Sequence, residues 1–75
     1  MSRFVKLLAR LENKSGQKWL DFYENNQFSK PSYYYTCYNG GKNLGNDKQE
    51  AAGIVVQVAQ QIGGLKLINI SDIKE

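Results

Sequence analysis

Between Asn46 and Gly64 the chain places Ala51, Ile54, Val55, Val58 and Ile62 at helical spacing, so that all share one face. This run predicts an amphipathic helix. Asp47 stands at the N-cap position, Glu50 follows it as in an acidic capping box, and Gly63 and Gly64 supply a left-handed stop. Ser2 to Lys14 carries two competing periods. As a strand, Val5, Leu7, Ala9 and Leu11 alternate with Lys6, Leu8 and Arg10; as a helix, Phe4, Leu7, Leu8 and Leu11 share a face. Adjacent Leu7 and Leu8 spoil the alternation, and Leu, Ala, Lys, Arg and Glu are strong helix formers. The expectation is therefore a first helix, capped by Ser2 and stopped at Gly16.

Gln17 to Glu24 reads as an aromatic-rich strand, with Leu20 and Phe22 on one side and Trp19, Asp21 and Tyr23 on the other. A turn at Asn25-Asn26 and a loop over 27–32 containing Pro31 lead to a second strand, Ser32 to Tyr38. Its pattern points Tyr33, Tyr35 and Cys37 inward and Tyr34, Thr36 and Tyr38 outward. Asn39-Gly40-Gly41 signals a hairpin into a short third strand around Lys42 to Leu44. Leu65 to Ile70 alternates poorly and fits either a closing strand or an extended tail. The fold class this implies is α+β and two-layered, in the order α-β-β-β-α: two helices on one face of a three-stranded antiparallel sheet. No linker or repeat divides residues 1–75, so one domain is expected.

Composition narrows the chemistry. Hydrophobic residues make up 41% of the chain, enough for one two-layer core but not for a deep substrate cavity. Histidine is absent, which excludes His-based acid–base catalysis and His metal ligation. The single cysteine, Cys37, has no internal disulfide partner, so a reducing, cytoplasmic or nuclear setting is expected rather than secretion. No apolar run reaches the roughly 20 residues needed to cross a bilayer, and no membrane partner is expected. The Gly-Gly-Lys-Asn-Leu-Gly run lacks the Gly-Lys-Ser/Thr end of a P-loop. Asp21, Glu24 and Glu50 show no catalytic or metal-binding pairing and read as solvated carboxylates. The expectation is a non-enzyme without cofactor or metal. A net charge of +3 permits nucleic acid without demanding it.

Coiled as a helix, residues 2–14 gather Arg3, Lys6, Arg10 and Lys14 into a narrow stripe beside the apolar face. The same stripe also fits an ordinary solvated face. Leu-Leu-Ala-Arg-Leu-Glu-Asn-Lys-Ser-Gly, Tyr-Tyr-Tyr-Thr-Cys-Tyr-Asn-Gly-Gly and the helix from Asn46 together resemble a double-stranded RNA-binding domain over residues 4 to 62. The Gly-Pro-x-His of that family's first interstrand loop is missing, and its basic run at the second helix is reduced to Lys48. The resemblance implies duplex RNA bound by shape and phosphate contacts, with little sequence preference. It assigns contacts to the Arg3, Lys6, Arg10 and Lys14 stripe, to Gln27 and Lys30, and to Lys48 with Lys42 nearby. Asp47 and Glu50 oppose a phosphate at the last of these places.

A protein-docking module of the same fold is the alternative, including a small phage-encoded inhibitor of a nucleoprotein defence complex, which chain length alone suggests. Its surface is the uncharged helix face of Gln49, Gly53, Gln57, Gln60 and Gln61, which also suits plain solvent. Trp19, Tyr23, Tyr34 and Tyr38 fit either a stacking platform for single-stranded bases or the wet rim of a small core. Homodimerisation through an exposed strand edge is also left open.

Overall fold

The computed structural model describes residues 4–70. The order is β1 (Val5–Glu12), β2 (Trp19–Asn25), β3 (Ser32–Cys37), β4 (Gly40–Gly45), α1 (Lys48–Ile62) and β5 (Lys66–Ile70). The strands form one antiparallel sheet in the order β4-β3-β2-β1-β5. This corrects the expected fold class: a single helix lies on a five-stranded sheet, in place of two helices on three strands.

The cause lies at Leu7 and Leu8. Val5 to Leu7 pair with Asn25 to Tyr23, then the register shifts between Leu7 and Ala9, and Ala9 to Glu12 pair with Phe22 to Trp19. The shift is a β-bulge, which inserts one residue into the strand and lets side-chain alternation resume in the other phase. Leu8, the inserted residue, is fully buried, and Ala9 beside it is 2% exposed. The adjacency that breaks a simple alternation is thus what a bulged strand needs. Residues 13–18 form the hairpin loop: the Asn13 side chain accepts hydrogen bonds from Lys18 N (3.1 Å) and Ser15 Oγ (3.4 Å). Gly16, at φ 77°, belongs to that turn and stops no helix.

β1 to β4 form a meander, and α1 then carries the chain across the sheet so that β5 pairs with β1 on its free side. The open question at the C-terminal stretch is therefore decided in favour of a strand. α1 starts where expected: the Asp47 carboxylate accepts from Gln49 N (3.0 Å) and Glu50 N (3.2 Å), while Gly63 at φ 80° donates its N–H to the Ala59 carbonyl. Ala51 and Val55 are buried, and Ile54, Val58 and Ile62 pack half-buried around them. They meet Leu8, Ala9, Leu20, Phe22, Tyr33 and Leu44 from the sheet. Full burial of a side chain such as Leu8, Leu20 or Phe22 stabilises by roughly 1.5–3 kcal/mol. Leu20, Phe22, Tyr33, Tyr35 and Cys37 take the helix side of the sheet, as their alternation predicts.

Candidate functional site

With α1 on one side of the sheet, the other side remains without a covering element among the described residues. Cross-strand register sorts its side chains into rows. Glu12 stands opposite Trp19; Arg10 opposite Asp21, which is opposite Thr36; and Leu7 opposite Tyr23, which is opposite Tyr34. Tyr38 donates its backbone N–H to the Trp19 carbonyl at 3.3 Å and so extends the first row. All four aromatics expected on one side, Trp19, Tyr23, Tyr34 and Tyr38, are thereby brought to the open face.

Arg10 and Asp21 form its centre. The Arg10 Nε donates to Asp21 Oδ1 and its Nη2 to Oδ2, each at 2.9 Å, a bidentate pair. Asp21 is 5% exposed even though it lies on the open face, with the Arg10 guanidinium bound to both its oxygens and the Tyr23 hydroxyl reaching one of them. The expectation of a solvated carboxylate is corrected at Asp21. The hydrogen bonds from Arg10, and then the opposite charge, raise the guanidinium pKa further, so Arg10 stays cationic at every working pH. The Tyr23 hydroxyl donates to Asp21 Oδ2 at 3.4 Å. Burial, and then the Asp21 charge, push the Tyr23 phenol pKa upward. The Tyr23 and Tyr34 rings stack across the strands, with centroids 5.1 Å apart and planes 17° from parallel. A cleft of about 280 Å³ lies between Arg10, Glu12, Trp19 and Asp21.

The cation stripe is not formed. Arg3 lies outside the described residues. Lys6 pairs across to Glu24 while Arg10 pairs across to Asp21, and the odd offset between Glu24 and Asp21 on β2 puts the two cations on opposite faces. Lys14 is in the hairpin loop beyond the strand. A helix would have lined these residues up; an extended, bulged backbone distributes them over two sides. Gln27 and Lys30 are exposed in the loop after β2, where Gln27 N donates to the Asn25 side chain at 2.9 Å. Lys42 is exposed on the edge strand β4, and Lys48 opens α1 half-buried. Gln49, Gly53, Gln57, Gln60 and Gln61 do share one exposed face of α1.

The Arg10–Asp21 pair is the feature that sequence reasoning missed. Its signal was present: an acidic residue centred between Trp19 and Tyr23 on the outward side of a strand meets whatever its neighbouring strand supplies. Among the described residues no cluster of His, Cys, Asp and Glu could hold a metal ion, and no helix is long and apolar enough to cross a membrane. In comparisons with known proteins, no family model, curated protein or solved structure matches the chain.

Proposed function

We propose that the chain is a non-enzymatic docking module that binds another protein through the open face of its sheet. The observation that carries this is the engagement of the face with itself. Tyr23 and Tyr34 stack on one another, so one face of each ring is already taken up. Stacking of single-stranded bases relies on uncovered ring faces. The charge of Arg10 is matched by Asp21, with the guanidinium held in place, so the centre of the patch holds no unmatched cation for a phosphate. A Tyr-, Trp- and Arg-rich patch of matched charge is the composition found at the centres of protein interfaces.

Duplex RNA, suggested by the family resemblance, is the competing outcome. A titration of duplex RNA, single-stranded RNA and duplex DNA at two salt concentrations separates the readings. The docking reading expects no saturable binding of any of them at low salt. It further expects a photo-crosslinker at Tyr38 to trap a protein partner in a Tyr34-dependent manner, while one at Gln57 traps none. A duplex preference that weakens with salt would overturn the reading.

A further inference from the structure

The open face is not uniform along its length. At the β1–β2 hairpin end, Lys66 stands opposite Glu12 in the strand register. Lys14, Lys66, Glu12 and Asn13 line one shallow cleft of about 310 Å³ together with Gly64 and Ile68. Lys18 is tied to the same corner, since Asn13 N donates to the Lys18 carbonyl at 2.9 Å and Lys18 N donates back to Asn13 Oδ1 at 3.1 Å. Trp19 follows it directly and Tyr38, 39% exposed, stands across from Trp19. Lys14, Lys18 and Lys66 are all exposed, whereas Glu12 is half-buried and is the one carboxylate lining that cleft. Ile68, at 56% exposed, adds an apolar floor.

We infer that this corner receives an acidic segment of the protein partner, with an apolar side chain set on Ile68 and carboxylates spread to Lys14, Lys18 and Lys66. The inference rests on the protein-docking reading. Charge complementarity selects an anionic visitor. Glu12 and the apolar floor then favour a peptide over a polynucleotide: a peptide can leave an uncharged residue over Glu12, while every nucleotide brings a phosphate.

The test is a titration of the isotope-labelled full chain, followed by amide and indole NMR shifts. The probes are a short Glu/Asp-rich peptide carrying one Leu, its Lys-for-acid counterpart, and an oligouridylate of matched length. The acidic peptide is expected to shift the amides of Lys14, Lys18 and Lys66 and the Trp19 indole, while the Lys counterpart shifts none of them. Lys14→Glu combined with Lys66→Glu is expected to weaken that binding at least about tenfold, equivalent to about 1.4 kcal/mol. Lys14→Gln combined with Lys66→Gln gives a milder loss on a chain whose amide dispersion reports an intact fold. Acidic-peptide shifts that are missing, or that fall only on α1, overturn the inference. The docking reading survives that result if the Tyr38 crosslink persists. Tighter binding of the oligouridylate at the same residues overturns both.

Discussion

At the scale of single residues, Asp21 shows how a carboxylate on an open sheet face comes to be buried. Its bonds to Arg10 satisfy both oxygens, and removing one partner leaves a desolvated charge behind. Arg10→Ala should lower unfolding stability by about 2 kcal/mol; a value near the buried-pair maximum is not expected because the Arg10 side chain is 47% exposed. Adding Asp21→Asn to Arg10→Ala should recover part of the loss, since the orphaned charge disappears. Urea denaturation of the two single variants and the double variant measures this coupling. Tyr23 makes a second prediction. Its phenol pKa is raised in the folded chain, so the folded state favours the neutral form. That contribution is fully present below the ordinary phenol pKa of about 10 and is lost as pH rises through the higher folded value. The wild-type chain should therefore lose stability above about pH 10 more steeply than Tyr23→Phe, read from denaturation midpoints across an alkaline series.

At the scale of elements, α1 was legible because every local cue agreed. Asp47, the apolar face through Ile62 and Gly63 all specify the same helix, and the structure has it at Lys48–Ile62. β1 was not legible, because helix propensity and the Leu7–Leu8 pair argued against its true partners. Those partners are β2, across the hairpin, and β5, remote in sequence, and strand pairing overrides a local preference worth a few tenths of a kcal/mol per residue. As an interior strand, β1 has pairing on both sides. Amide hydrogen exchange should accordingly find Ala9 to Leu11 among the slowest positions, with β4, an edge strand, exchanging much faster. Rapid exchange at Ala9 and Leu11 would contradict this pairing. β4 is held close to its neighbour in a different way: a Cβ on Gly41 would lie 2.7 Å from the Tyr35 carbonyl oxygen, so only glycine fits there without backbone movement.

At the scale of the whole molecule, the sheet has one face spent on the core and one open, and the two divide the aromatic residues between them. Phe22 and Tyr33 meet at 6.1 Å under the helix, while Tyr23 and Tyr34 stack on the other side. That division follows from strict alternation along β2 and β3 and was readable from the sequence, as were α1, its caps and the inward set from Leu20 to Cys37. What the sequence could not decide was which residues of the first segment would face which side. A bulge changes the phase of every residue after it, and its presence is settled by the pairing of β1 with β2, not by the segment itself. The fate of the cations depended on that phase. With it, Lys6 meets Glu24 across the sheet, Arg10 is bound to Asp21, and Lys14 joins the hairpin corner with Lys66. Local periodicity thus determined which residues are apolar-facing within each element. Only pairing between strands decided how the first element was built, and with it which charges remained for a partner.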